Sequence, residues 1–258
     1  MAESSDLSGR VVIVTGASRG IGKGLAVGLG ALGASVVCAS RSEVVKPGGL
    51  PGTIHDTARA IEEAGGTAVA IRCDIGSDQD IHHLIDETIA KFGRLDVLMN
   101  NAMSPTQALL ADSNVGEWDE SMRVNVRSLY VFTQAVTPHM VAAGGGSIIN
   151  MSSHGAAHET TPFMPPGYLV YSVAKAALER FSTAAAPELA PLGIAINALR
   201  PGAVKTEMTE LEYGADHDWS GWNTPDSVVP PAAALATKRG GDFTGQIVDV
   251  AGYGKIWE

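Results

Sequence analysis

Two side chains that could transfer a proton, Tyr171 and Lys175, stand four residues apart. On a helix this spacing places both on one face. The pKa of a free tyrosine is about 10, and a neighbouring ammonium group lowers it by favouring the phenolate. Such a pair makes the tyrosine usable as a general acid or base, which the interconversion of a carbonyl group and an alcohol requires. Because an isolated pair of this kind is more often a plain surface tyrosine and lysine, the interpretation depends on the other motifs.

A glycine-rich stretch, TGASRGIG at residues 15–22, follows the apolar run VVIV and opens a helical pattern. Gly16, Gly20 and Gly22 allow a tight strand-to-helix turn, and they let backbone N–H groups approach a pyrophosphate at the helix N-terminus. A plain turn is the alternative, since a glycine pattern alone is weak evidence for nucleotide binding.

The composition excludes several classes of function. A net charge of −10 over 258 residues gives no basic surface for nucleic acid or an anionic membrane. No apolar run reaches the roughly 20 residues of a membrane span, and the start MAESSDLSGR lacks the pattern of a secretory signal. The two cysteines, Cys38 and Cys73, are expected to be buried thiols of a reducing compartment. We therefore expect a cytoplasmic protein without nucleic-acid or membrane partners.

The order of elements predicts an α/β fold. Runs that are apolar at nearly every position predict buried parallel strands. They occupy residues 11–15, 35–40, 68–73, 97–100, 147–151, 195–199 and 246–250. Helical patterns lie between them: one has apolar residues at 81, 84, 85, 89 and 92 with Ser77 as N-cap, and another has them at 21, 25, 29 and 32. We expect one Rossmann-like domain over residues 1–258, a doubly wound parallel sheet of about seven strands with helices on both faces.

Three segments interrupt this alternation and are expected to be loops, at residues 46–52, 154–169 and 206–224. Long loops at the carboxyl ends of strands are where such folds bind ligands. Pro187 is expected to kink the helix that contains it. His154 and His158 have no carboxylate or cysteine partner that would complete a metal site, so no metal is predicted.

The motifs together resemble those of the classical short-chain dehydrogenase/reductase family, over roughly residues 8–252. The resemblance rests on TGASRGIG, Asp74 after the third strand, Asn100-Asn101-Ala102, Asn125 in RVNVRS, Ser152-Ser153, Tyr171-x-x-x-Lys175 and Pro201-Gly202-x-Val204-x-Thr206. Two departures stand out. Met103 replaces the glycine that the family usually has after Asn-Asn-Ala, and 17 residues separate Ser153 from Tyr171, more than is usual.

The resemblance implies specific roles. Tyr171 would be the general acid or base, Ser153 would hydrogen-bond the substrate oxygen, Lys175 would also hold the nicotinamide ribose, and Asn125 would order a proton-relay water. The alternatives are a strand-end cap for Ser153 and a helix-face amide for Asn125. The cofactor-binding residues implied are Gly16, Ser18, Arg19, Gly20, Ile21, Gly22, Ser40, Arg41, Asp74, Ile75, Asn101, Ala102, Tyr171, Lys175, Pro201, Gly202, Val204 and Thr206.

The end of the second strand predicts the choice of cofactor. NAD-dependent enzymes usually present an acidic residue there to the ribose hydroxyls, whereas this chain has Ser40 followed by Arg41. Arg19 stands in the glycine loop, and guanidinium groups suit a 2′-phosphate. NADP(H) is therefore the expected cofactor, with NAD(H) as the alternative; if Arg19 and Arg41 are only solvated surface charges, this expectation fails.

We expect an oxidoreductase that interconverts a ketone or aldehyde and an alcohol on a mainly apolar small molecule. The expected substrate pocket consists of Met103, His154, Phe163, Met164, Trp219 and Trp222. The two tryptophans fit a substrate lid or core packing equally well. A redox-silent nucleotide-binding regulator and an epimerase or dehydratase on the same scaffold are the alternatives. The resemblance also implies a homodimer or homotetramer, with the helices of Asn125 and Tyr171 at the interface.

Overall fold

The computed structural model describes residues 5–158, 164–214 and 216–258. Each predicted strand is present, within one residue of its expected ends. The strands are β1 (Val11–Thr15), β2 (Ser35–Ser40), β3 (Thr67–Arg72), β4 (Val97–Asn100), β5 (Gly146–Met151), β6 (Ile194–Arg200) and β7 (Ile247–Asp249).

These strands form one parallel sheet in the order β3-β2-β1-β4-β5-β6-β7. The chain builds outward from β1 to β3, then crosses over and builds in the other direction from β4. Strands β1 and β4 are therefore neighbours whose connections leave in opposite directions. A crevice at the carboxyl ends of two such strands is the usual ligand site of a doubly wound sheet.

The helices cover both faces of the sheet. They are α1 (Gly20–Ala31), α2 (Ile54–Glu63), α3 (Asp78–Phe92), α4 (Val115–Met122), α5 (Ser128–Ala142), α6 (Leu169–Leu189), α7 (Glu207–Tyr213) and α8 (Val229–Thr237). Ser77 caps α3 as predicted, because its Oγ accepts the Asp80 N–H at 3.2 Å. No helix in these described ranges is long and apolar enough to cross a membrane.

Alternate residues of each strand enter two separate cores. In β1, Val12 and Val14 pack with α1, α2 and α8, whereas Val11 and Ile13 pack with α3 and α5. Both cysteines are buried and free, as predicted. Burial raises the pKa of the Cys38 and Cys73 thiols to about 12, so neither carries an appreciable thiolate fraction at neutral pH.

The three irregular segments differ in outcome. Residues 46–52 form the loop expected before α2, and the described part of 154–168 contains only the short 3-10 turn His154–Ala156 before α6 begins. The third segment was wrongly expected to be a loop throughout, because it contains α7. Thr206 caps that helix: its Oγ1 accepts the Thr209 N–H at 3.2 Å, and its own N–H donates to Thr209 Oγ1 at 2.8 Å. Pro187 lies near the end of α6.

Candidate active site

The turn between β1 and α1 requires glycine at two positions. Gly16 has a φ of +70°, a conformation that side chains disfavour. A Cβ on Gly22 would overlap the Gly16 carbonyl oxygen and lie 2.6 Å from Asn101 Nδ2. The absence of side chains therefore lets α1 start directly against the ends of β1 and β4, with its N-terminal N–H groups facing the crevice.

A cavity of about 310 Å³ lies at this edge of the sheet. It collects most of the residues predicted to bind a cofactor. Those in its wall are Gly16, Ser18, Arg19, Gly20, Ile21, Gly22, Ser40, Arg41, Asp74, Ile75, Asn101, Ala102, Tyr171, Lys175, Pro201 and Thr206. The other two lie outside the lining: Gly202 is exposed, and Val204 is buried and bridges to Asn223.

Thr15 fixes the junction of β1 and β4. Its Oγ1 accepts the N–H groups of Asn101 and Ala102, each at 3.0 Å, and donates to the Met99 carbonyl at 3.2 Å. Asn101 Nδ2 in turn donates to the Thr15 carbonyl at 2.9 Å. Sequence reasoning did not single out this residue, although it is the first letter of the TGASRGIG motif.

Tyr171 and Lys175 share one face of α6 and both line the cavity. Lys175 Nζ donates to the Met151 carbonyl at 2.6 Å and lies 5.6 Å from the centre of the Tyr171 ring. Burial lowers the pKa of Lys175 to about 8, and the negative charge of Glu179 opposes that fall.

The pKa of Tyr171 departs from the expectation for such a pair. Burial raises it, a hydrogen bond with Ser153 lowers it, and the charge of Glu212 raises it further, so that the net direction is upward. The expected lowering by Lys175 does not contribute to this direction. In this structure the phenol therefore keeps its proton at neutral pH.

Ser153 and Asn125 both take part in local structure. Ser153 follows β5, and its Oγ accepts the Gly155 N–H at 3.1 Å, the capping contact considered as its alternative role. Asn125 lies in a π-helical turn between α4 and α5, where its Oδ1 accepts the Ser104 N–H at 2.9 Å. Its Nδ2 donates to the Ser104 carbonyl and to Ser121 Oγ, each at 3.0 Å. Asn125 thus fixes the loop after β4 against the helix.

The two arginines predicted to contact a 2′-phosphate stand at the same end of the cavity but in different environments. The Arg19 guanidinium donates to the carbonyl oxygens of Leu50, Pro51 and Gly52 at 2.8–3.3 Å, so it holds the loop before α2. The Arg41 side chain is 67% exposed, and its nearest carboxylate, Asp74, lies 3.9 Å away. Arg41 is therefore the more mobile cation of the two.

The cavity fits a dinucleotide at its glycine loop. An anionic group already occupies the N-terminus of α1: Glu207 Oε2 accepts the Gly20 N–H at 3.0 Å. The same N–H donors suit a pyrophosphate, and the glycines leave room for it. Sequence reasoning missed Glu207, which belongs to the helix that was taken for a loop.

Comparison with known proteins gives the family. The short chain dehydrogenase family model matches residues 10–215. A 3-oxoacyl-[acyl-carrier-protein] reductase of Synechocystis is 35% identical over 79% of this chain and 78% of its own length. A crystal structure of a dehydrogenase/reductase from Sinorhizobium meliloti is 33% identical, with 95% of each chain covered and a TM-score of 0.81.

The chain belongs to the short-chain dehydrogenase/reductase family. It is an oxidoreductase of a family that uses NAD(P). A 3β-hydroxysteroid dehydrogenase of Eggerthella lenta is 30% identical over 96% of this chain and 94% of its own. A structure from Beutenbergia cavernae that contains NADP is 29% identical, covers 96% and 97% of the two chains, and has a TM-score of 0.82.

The predicted substrate residues of this short-chain dehydrogenase are not all gathered in one place. Met103 lies in the cavity wall and is 37% exposed. Met164 does not line the cavity, and a Cβ on Gly155 would lie 3.0 Å from its Cε; Phe163 is outside the described residues. His154 does not line the cavity; its Nε2 is 2.7 Å from Asp249 Oδ1.

Trp219 and Trp222 belong to an aromatic cluster that does not line the cavity. Their ring centres are 5.0 Å apart, and both pack against Tyr213 and His217. Lys205 Nζ lies 5.1 Å from the centre of the Trp219 ring. The cluster follows α7 and is separate from the two cores that flank the sheet.

A group of polar contacts beside Tyr171 was also not predicted from the sequence. Gln107 and Glu212 both hydrogen-bond the hydroxyl of Tyr168, whose ring lies edge-on to Tyr171 at 6.0 Å. Three separate segments, the loop after β4, the residues just before α6 and helix α7, therefore meet next to Tyr171.

Within the described ranges, no cluster of three or more His, Cys, Asp or Glu side chains could hold a metal ion.

Proposed function

We propose that this protein is an NADP(H)-preferring enzyme that interconverts a ketone or aldehyde and an alcohol, with Tyr171 as general acid and base. One observation carries the proposal: Tyr171, Lys175 and the glycine loop line the same cavity at the carboxyl ends of β1 and β4. The proposed catalytic domain spans residues 1–258.

The chemistry assigned to the residues follows from their positions. A bound nicotinamide supplies or accepts the hydride. In reduction, the Tyr171 phenol would donate its proton to the carbonyl oxygen, and in oxidation the Tyr171 phenolate would accept the hydroxyl proton of the alcohol. Burial raises the pKa of the phenol, so the proton to be donated is present at neutral pH. We assign Ser153 to orient the same substrate oxygen and Lys175 to hold the nicotinamide ribose. Asn125, with its contacts to Ser104, keeps the adjoining loop in place for a relay water.

The proposed preference for NADP(H) rests on the end of β2. Ser40 and Arg41 line the cavity where an NAD-dependent enzyme would present a carboxylate. Arg41 is the cation that can turn to a 2′-phosphate, while Arg19 is already held by loop carbonyls. The presence of NADP in a structure with 29% identity agrees with this assignment.

The proposed substrate is a mainly apolar carbonyl compound of medium size. Met103 occupies the wall of the cavity, and two relatives carry names that refer to a 3-oxoacyl and a 3β-hydroxysteroid group. Glu212 next to Tyr171 disfavours a small anionic keto acid by repulsion.

We also propose a cytoplasmic homodimer or homotetramer. The helices that would meet are α5, adjoining Asn125, and α6, bearing Tyr171. Both present exposed apolar side chains: Tyr130 and Val141 on α5, and Leu169 and Val173 on α6. An uncovered apolar surface of this kind is typical of an interface.

The test combines a screen with one substitution. A range of ketones, including 3-oxoacyl thioesters and 3-oxosteroids, is assayed with NADPH and NADH, and Tyr171→Phe is then measured on the best substrate. We expect kcat/KM to fall about 10²–10⁴-fold, because the phenol proton is lost, while the Kd for NADPH stays unchanged. Tyr253→Phe, on a tyrosine that packs on Trp257, serves as the control. Tight NADPH binding without turnover of any carbonyl would favour the redox-silent regulator instead, and full activity of Tyr171→Phe would remove Tyr171 from the mechanism.

A further inference from the structure

A carboxylate is buried one helical turn after Lys175. Glu179 on α6 is only 5% exposed, and a buried carboxylate is costly unless it is paired and fully hydrogen-bonded. Its position raises the question of what its charge contributes, because an apolar side chain of similar size could fill the same space.

The two partners of Glu179 lie at the ends of different strands, since Ser152 directly follows β5 and Arg200 is the last residue of β6. The Ser152 hydroxyl donates to Oε1 at 2.6 Å. Arg200 binds both oxygens, with Nε at 2.7 Å and Nη2 at 2.8 Å. Forked pairs of this kind are among the strongest charge-assisted hydrogen bonds and fix geometry closely.

Those partners immediately precede site residues. Ser152 is followed by Ser153, and Arg200 ends β6 just before Pro201, which lines the cavity. Glu179 therefore joins α6, the end of β5 and the end of β6 at one point. A displacement of any of these three elements would change the distances between Tyr171, the Ser153 hydroxyl and Pro201 in the cavity wall.

Glu179 and Lys175 stand four residues apart on α6, so their side chains are neighbours on one face of that helix. Burial lowers the pKa of Lys175 to about 8, and Glu179 is the charge that raises it. From the other elements, the Met151 carbonyl on β5 accepts the ammonium N–H, and Arg200 on β6 neutralises part of the Glu179 charge. Asp249 on β7 acts in turn on Arg200. Tyr171 is the other titratable group close to Lys175.

We propose that Glu179 is a positioning residue for the reaction: it aligns the ends of β5 and β6 with α6, and it supplies the fixed negative charge that keeps Lys175 in its ammonium form. This inference rests on the proposed function, in which the Lys175 ammonium holds the nicotinamide ribose. Neither the sequence motifs nor the family resemblance points to Glu179.

The experiment measures kcat/KM and the Kd of NADPH from pH 6 to 9 in the wild type and four variants. In Glu179→Gln the shape is kept and the charge is lost. We expect the alkaline fall of both quantities to move to lower pH by about one unit, because loss of the neighbouring negative charge lowers the pKa of the Lys175 ammonium group. Glu179→Asp keeps the charge and should restore the wild-type pH profile. Glu188→Gln, on an exposed glutamate of the same helix, is the matched control.

The double variant Glu179→Gln/Arg200→Gln shows how much of the loss in Glu179→Gln comes from leaving Arg200 without its partner. It removes the unpaired arginine as well, so we expect Tm to recover. Because Arg200 neutralises part of the Glu179 charge, its loss should also move the pH profile part of the way back towards that of the wild type. A lowered Tm with an unchanged pH profile in Glu179→Gln would overturn the inference, since the pair would then be only structural. A wild type that turns over no carbonyl would contradict the proposed function alone, because the pH dependence of NADPH binding still reports the effect of Glu179 on Lys175.

Discussion

Gly22 is the position where one added methyl group tests the geometry of the glycine loop. A Cβ there would overlap the Gly16 carbonyl oxygen, and it would lie 2.7 Å from the Gly16 carbonyl carbon and 2.6 Å from Asn101 Nδ2. None of these atoms can move away easily, because Gly16 is backbone in a tight turn and Asn101 is held by Thr15.

The size of the effect follows from two opposing terms. Overpacking of a well-filled site costs about 1–3 kcal/mol, and a clash with backbone lies at the upper end of that range. Alanine has a higher helix propensity than glycine, which returns roughly 1 kcal/mol. Gly22→Ala should therefore lower the free energy of unfolding by about 2 kcal/mol, which corresponds to a drop in Tm of roughly 4–8 °C for a domain of this size.

The assay pairs thermal unfolding with a fluorescence titration of NADPH. We expect the Kd to rise at least tenfold, because any relief of the clash moves the N-terminus of α1 away from the pyrophosphate position. Gly241→Ala is the matched control, since a Cβ there meets nothing within 4 Å and the backbone needs no positive φ. An unchanged Tm and Kd in Gly22→Ala would refute the close packing described for this turn.

Two further predictions concern the cofactor. Arg41→Ala should reduce kcat/KM with NADPH about tenfold or more and leave kcat/KM with NADH nearly unchanged, because one charge-assisted contact of about 1.5–3 kcal/mol is lost. Arg59→Ala, on another exposed arginine, is the control. A wild type that prefers NADH would contradict the assignment. Glu207→Gln should tighten NADPH binding about fivefold, because the charge that competes with the pyrophosphate for the Gly20 N–H is removed. Glu210→Gln, on the same helix, should leave the Kd unchanged. An unchanged Kd in Glu207→Gln would show that the carboxylate does not compete with the cofactor.

Much of the sheet could be predicted from the sequence because strands covered on both faces are apolar at nearly every position. The run VVIVT became β1 with the expected bounds, and SVVCAS became β2. The motif residues Tyr171, Lys175 and Gly16 could then be placed near one edge, since parallel strands all end there. Strand β7 was predicted one residue too long at each end, and only its central residue, Val248, is buried.

The contacts that set charge and conformation could not be predicted. The link between Glu179 and Arg200 joins residues 21 positions apart, and neither has a local pattern that reveals its partner. The direction of the Tyr171 pKa depends on burial and on the charge of Glu212, neither of which the spacing of Tyr171 and Lys175 determines. Helix α7 was missed because its seven residues contain several charges and carry no buried stripe.

The contact between Glu207 and Gly20 gives α7 a thermodynamic connection to the glycine loop. An anion that binds the N-terminus of α1 must displace the carboxylate, and a ligand that draws α7 away from the loop releases the same N–H group. Such coupling is reciprocal: anion binding at α1 favours release of α7 by the same factor as release of α7 favours anion binding. The aromatic cluster begins at the C-terminal end of α7 with Tyr213. A molecule that rearranges those rings and pulls α7 with them would therefore change the affinity for the dinucleotide at the opposite end of this short helix.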